Sequence, residues 1–167
     1  DFKGARPAYD RAYALAPGDA DILLMYAFFA SKSGRDTDAL RVIERAAALD
    51  PLNPRVFRAK ALTLISARRP QDAIEAARKA LAMNAQLSGT HGYLGLALVL
   101  TGKAVEAKAE FAAEPNLSAR LAGLAITERT LGNAAAADAA FAELVRARGD
   151  AANYQQAQVL AQKGDVD

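Results

Sequence analysis

The residue types that most often carry chemistry are sparse in this chain. His91 is its one histidine and there is no cysteine. A metal site needs several such ligands at matched spacing, and a nucleophilic site needs a nucleophile, a base and a group that orients the base. No such set can be assembled, so no catalytic residue, metal site or cofactor is expected. Gly89-x-x-Gly92-x-x-Gly95 has glycines at spacings met in phosphate loops. The dinucleotide signature, however, needs a preceding strand and a loop-to-helix transition, whereas these glycines fall along one side of a helical segment. Asp36 and Asp38 stand where a helix begins, which favours the positive end of its dipole, and capping is their expected role. Glu106 and Glu110, four residues apart, are expected to form a solvated stripe with Lys103.

Composition narrows the class further. Lys and Arg number 21 against 19 Asp and Glu, a formal net charge of +2, which gives no case for nucleic acid or an anionic membrane. The longest apolar run, Ile22 to Ala30, is about half the ~20 residues that a membrane-spanning helix needs. No secretory segment stands at the start, so a cytoplasmic location is the default expectation. The absence of an initiating Met and an ending in mid-pattern at Gly164-Asp165-Val166-Asp167 mark the expected piece of a longer protein. The 167 residues fit a single domain, 1–167, rich in alanine and suited to close-packed helices.

The elements that must position any functional side chain come from a repeat. Small residues recur about every 34 residues: Ala27, Ala61 and Gly95; Ala39, Ala73 and Ala107; Ala46 and Ala80. Pro17 and Pro51 keep the same separation, as do Gly34, Arg68 and Gly102. Two antiparallel helices approach closely only where a small side chain faces the partner. Large residues such as Phe57, Leu94, Ile43 and Phe111 then fill the space beside each crossing. Gly34 and Gly102 suit the left-handed residue that ends a helix, and the prolines cannot continue the helices they follow. His91 falls where Phe57 and Leu23 stand one and two periods earlier, and is expected to pack between helices. Helices are expected near 3–15, 20–33, 37–49, 54–67, 71–83, 88–101, 104–113, 117–131, 134–148 and 151–163.

On these residues, with Ala12, Pro17, Leu94-Gly95 and Phe111, the chain resembles the tetratricopeptide repeat family over nearly its whole length. The resemblance implies an all-α fold, a right-handed superhelical solenoid of antiparallel helix pairs. About four to five repeats are expected, partial at both ends: a half repeat over 1–17, repeats over 18–51, 52–85, 86–116 and 117–149, and a partial repeat over 150–167. The segments Arg120-Leu-Ala-Gly-Leu-Ala125, Leu131-Gly132, Ala137-Asp138, Phe141-Ala-Glu-Leu144 and Tyr154 to Asp165 resemble the C-terminal tetratricopeptide region of bacterial multidomain regulators. There such repeats follow a nucleotide-cyclase or a winged-helix DNA-binding domain, which implies a regulatory module.

The period fails after Gly102. The next equivalent glycine, Gly132, comes about four residues early, and Glu114-Pro115 stands where alanine would close the second helix. Proline there predicts a helix cut short near 104–113, with a local change in curvature.

In such an array the first helix of each pair lines the concave side. Projecting them at helical spacing puts Leu24 and Phe28, with Asp21, Ser31 and Lys32, in one group. Arg55, Arg58, Leu62 and Ile65 form the next, Gly89, Gly92, Leu96, Val99 and Leu100 a third, and Ala119, Ala122, Ile126 and Arg129 a fourth. The apolar members would make a strip that solvent does not favour. Gly89 and Gly92 beside Ala119 and Ala122 would strip the groove of side chains, so that a partner helix could approach. Arg55 and Arg58 could hold carboxylates. The Asn positions of the family's carboxylate clamp are Phe28 and Ala59, so chaperone binding is not carried over. The expected function is a protein-interaction scaffold taking a peptide or amphipathic helix from a partner, from a longer form of the same protein or from a second copy as a homodimer. A helical-repeat RNA binder would need polar base-reading residues on successive helices, and an enzyme would have to lie outside these residues.

Overall fold

The computed structural model describes residues 2–163, so residues 164–167 of the expected final partial repeat lie outside it. It is helical throughout the described residues: α1 (Phe2–Leu15), α2 (Ala20–Lys32), α3 (Asp36–Leu49), α4 (Pro54–Ser66), α5 (Pro70–Met83), α6 (Thr90–Leu100), α7 (Ala104–Ala113), α8 (Leu117–Thr130), α9 (Ala134–Arg148), a single 3-10 turn (Gly149–Ala152) and α10 (Asn153–Lys163). The chain divides into two compact units, residues 1–87 and 88–167.

In the first unit, α2 pairs with α3 and α4 with α5, and α3 packs against α4. The expected crossing points are all sealed: Ala27, Ala39, Ala46, Ala61, Ala73 and Ala80 are fully buried. Leu23, Val42, Ile43 and Val56 fill the space beside them. Tyr9 of α1 stacks on Phe29 at 4.4 Å, and the guanidinium of Arg35 lies 5.4 Å over Tyr26 and 5.3 Å over Phe29. Asp19 and Asn53 cap α2 and α4, accepting from the backbone N–H of Ile22 and Arg55. Gly34 ends α2 at φ 72°, while Arg68 takes the same left-handed conformation after α4 at φ 57° with a full side chain. L-residues avoid that region at a cost of about 1 kcal/mol.

In the second unit, α6 pairs with α7, α7 with α8 and α8 with α9, and α10 returns onto α8. The helix cut short before Pro115 is α7, which stops at Ala113 as the sequence requires. Its Phe111 sits between two glycines. A Cβ at Gly95 would lie 2.8 Å from the ring, and one at Gly123 only 1.9 Å from it. A separate cluster of Leu121, Ala125, Leu144, Ala152 and Val159 closes the α8–α9–α10 end. No described helix is long and apolar enough to cross a membrane.

Candidate partner-binding site

In the first unit the candidate residues come from α2 and α4, whose inner sides are spent on the core. Leu23, Tyr26, Ala27 and Ala30 of α2, and Val56, Phe57, Ala61 and Leu64 of α4, are buried. One helical step away, Leu24, Leu62 and Ile65 are half-buried and Phe28 is 49% exposed. Helical phase sets this: these four side chains project from the part of each helix that the neighbouring helices leave uncovered. Arg55 is exposed and Arg58 half-buried on the same side of α4. Arg55 is already engaged, its Nη1 lying 3.0 Å from the carboxylate of Asp21 on α2. These are equivalent positions on successive first helices, so the pair fixes the register of the face. Lys32 closes its far end, with Nζ 5.8 Å over the Phe28 ring.

In the second unit Leu96, Val99 and Ile126 are half-buried, and Ile126 leans on the α8–α9–α10 cluster. The two glycines assigned there need correcting. Gly92 is buried and does not open a groove. Its N–H donates to Oε2 of Glu114 at 2.9 Å. The N–H groups of Gly89 and Asn116 donate to Oε1 of the same carboxylate at 2.8 and 2.9 Å. Glu114, itself fully buried, is therefore the N-terminal cap of α6, supplied from the α7–α8 link. Gly89 stands at the N-cap with φ 85° and offers no side chain of its own. That conformation is also why α6 begins at Thr90, two residues later than expected. Gly92 is small because Glu114 lies against it: a Cβ would sit 3.5 Å from Oε2.

The other polar candidates resolve into structural pairs. Nδ1 of His91 lies 2.7 Å from Oε2 of Glu110, so His91 has an acidic partner beyond simple packing, and Glu110 is not part of a solvated stripe with Lys103. Asp36 and Asp38 occupy the first turn of α3, but the N-cap is Arg35, without a side-chain cap bond. Asp38 instead pairs with Arg35 and Arg41 at 3.7 and 3.5 Å. Buried Glu128 receives Lys108 at 2.6 Å and Asn133 at 2.8 Å, and these bonds hold its carboxyl below the ordinary value of 4.5. Among the described residues no group of three or more His, Asp or Glu is placed to hold a metal ion. A surface cavity of about 350 Å³ lies between α3, α4 and α5, lined by Glu44, Lys60, Arg69, Asp72, Glu75 and Lys79 around Phe57. None of the candidate face residues borders it.

Comparison with known proteins gives the frame for these faces. A sequence model of the tetratricopeptide repeat family matches residues 1–62, and no curated protein matches. Among solved structures, TTC0263, a thermophilic tetratricopeptide protein of Thermus thermophilus, is 17% identical with a TM-score of 0.83, over 97% of this chain and 90% of that one. PilW, described as a widely conserved type IV pilus biogenesis factor, is 18% identical with a TM-score of 0.78, over 99% and 80%. YrrB, a tetratricopeptide protein described as having an unusual peptide-binding site, is 18% identical with a TM-score of 0.67, over 98% and 84%. Residues 1–62 thus match the tetratricopeptide repeat family by sequence, and the chain shares the helix-pair fold of these tetratricopeptide structures.

Proposed function

We propose that the chain is a protein-interaction module, not an enzyme, and that it receives a helical or extended segment of another polypeptide on the face formed by α2 and α4. The observation that carries this reading is Phe28. It is 49% exposed on a face it shares with half-buried Leu24, Leu62 and Ile65. Contiguous apolar surface of this kind, rimmed by charge, marks contact sites in soluble proteins. YrrB, which shares the fold, is described by its peptide-binding site, and that supports the class of ligand. The role as regulatory module of a longer bacterial protein follows from the resemblance of the C-terminal segments.

The test is panning of a random peptide library on the wild type, with counter-selection on a folded Leu62→Glu variant. Peptides enriched on the wild type alone support the reading. Enrichment that Leu62→Glu leaves untouched refutes it. A second copy of the chain is another candidate occupant, and light scattering of the wild type against Leu62→Glu/Leu96→Glu reads it. Self-association through these faces predicts a wild-type dimer and a folded monomeric variant.

A further inference from the structure

The cavity between α3, α4 and α5 lies where the preceding period fills its structure with an aromatic ring and a cation. There Tyr26 is buried and the Arg35 guanidinium lies 5.4 Å over its ring. Nη1 of Arg35 is 3.9 Å from Asp10 and 3.7 Å from Asp38. One period on, the positions of Tyr26, Arg35, Asp10 and Asp38 hold Lys60, Arg69, Glu44 and Asp72, and all four line the cavity. The two carboxylates are kept, but the ring and the inward cation are not. Lys60 turns to Glu44 at 2.8 Å, and Nε of Arg69 binds Asp72 at 2.6 Å. The Arg69 side chain is 55% exposed, that of Arg35 20%. The exchange leaves a cavity of about 350 Å³, at the lower end of the range for small-molecule sites.

The earlier period also shows how much positive charge such a place holds. Asp10 serves Arg6 and Arg35, and Asp38 serves Arg35 and Arg41. In the cavity, Glu44 pairs with Lys60 and Asp72 with Arg69, one cation for each carboxylate among the described residues. Glu75, a third carboxylate on the lining, stands where Arg41 stood and has no partner among the described residues. The cation that does reach inward is Lys79, its Nζ 4.0 Å over the buried ring of Phe57. An aromatic face attracts a cation at that distance. The repeat does not dictate this ring, since Leu23 and His91 stand one period to either side.

We propose that the cavity is a site for a small organic cation, a guanidinium or ammonium group on a short apolar stem. Its head takes the face of Phe57 and the remaining lone pairs of Glu44 and Asp72, the part that Arg35 plays over Tyr26 between Asp10 and Asp38. Its stem meets Leu64 and Ala76 at the buried side of the cavity. Lys79 is the internal stand-in that the ligand displaces. Glu75, four residues earlier on α5, is the carboxylate with which the displaced ammonium then pairs. The site shares no residue with the α2–α4 face.

The experiment titrates the chain at constant ionic strength with butylguanidinium, butylammonium and neutral butylurea, following the backbone amides of Glu75, Ala76 and Lys79 by NMR. Saturable shifts with the two cations, and binding of butylurea at least about fivefold weaker, are expected. Phe57→Leu, which installs the residue found one period earlier and is checked for helicity, should weaken butylguanidinium by a similar factor. Lys79→Met, at an exposed position, should tighten it by about threefold or more, because the internal competitor is gone. A merely structural lysine would give no such gain. Acetyl-arginine methylamide separates two sources of the same chemistry and either result keeps the proposal: tighter binding than butylguanidinium assigns the head group to a partner's arginine, weaker binding to a free small molecule. Shifts that never saturate, butylurea binding as well as the cations, or affinity that Lys79→Met leaves unchanged would overturn the proposal.

Discussion

Removing the Glu114 carboxylate should loosen the start of α6, and its surroundings allow the size of the effect to be reasoned. Three backbone N–H groups, of Gly89, Gly92 and Asn116, donate to it at 2.8 to 2.9 Å, and the residue has no exposure. A hydrogen bond to a charged group contributes roughly 1.5–3 kcal/mol, and a buried donor left without an acceptor costs about 1–3 kcal/mol. Against this stands the penalty of burying the carboxylate, several kcal/mol, which Glu114→Ala relieves. Three donors left without an acceptor, two at the start of α6 and one in the α7–α8 link, outweigh that relief, for a net loss of about 3 kcal/mol in Glu114→Ala. Glu114→Gln keeps one oxygen for Gly89 and Asn116 but turns an NH2 toward the N–H of Gly92. About half the loss is expected there.

Urea unfolding followed by far-UV circular dichroism measures the change. Amide exchange at Gly92 locates it, since opening there should become easier while the amides of α2 keep their protection. If Glu114→Ala leaves both the urea midpoint and the Gly92 exchange rate unchanged, the carboxylate is not the cap described above.

Three further outcomes follow from the packing and the charges. Gly123→Ala puts a Cβ 1.9 Å from the Phe111 ring, which Gly95 confines on its other side, so a loss of about 3 kcal/mol is expected by thermal melting, partly recovered in Gly123→Ala/Phe111→Leu. Arg68→Gly should raise stability by about 0.5–1 kcal/mol in the same assay, because glycine takes the left-handed conformation without the Cβ penalty. Glu128, its carboxyl held below 4.5 by Lys108 and Asn133, contributes stability that is present above its unfolded value and lost as pH falls through its folded one. The stability gap between wild type and Glu128→Gln should therefore shrink on acidification from about pH 6 to about pH 3; a gap that holds constant would contradict the assignment.

Most of the helices, with their ends, were legible in the sequence because repetition makes each small residue testify to the others. Ala27 means little alone, but with Ala61 and Gly95 it marks one crossing three times over. The phase of the α2 and α4 faces followed from the same register. What the sequence hid was contact between segments far apart in the chain. Arg55 reads as a free cation until Asp21, on the preceding first helix, is brought within 3.0 Å. His91 reads as a packing residue until Glu110 arrives from α7. Gly89 and Gly92 read as an opened groove because glycine reports only that something lies close, never what.

The departures after Gly102 nonetheless form one connected change. The helices α2 and α4 are capped by Asp19 and Asn53, one period apart; a further period on stands Leu87, which cannot accept a hydrogen bond. The cap of α6 is missing locally, and an acceptor appears instead at position 114, where alanine was due. A helix start whose capping side chain is gone, in a chain that gains a buried acid one shortened helix later, is a signal readable in advance. The shortened link carries two further consequences. It ends in Asn116, which caps α8 by accepting from Ala119. It also brings α8 in at a spacing where the large Phe111 ring must be received from both sides. Position 111 is Ile43 and Ala77 in the earlier periods, and glycines stand at both 95 and 123 only where the ring is present. The lost residues, the acidic cap and the paired glycines thus compensate one another, and reverting any one alone should cost stability where reverting them together would not.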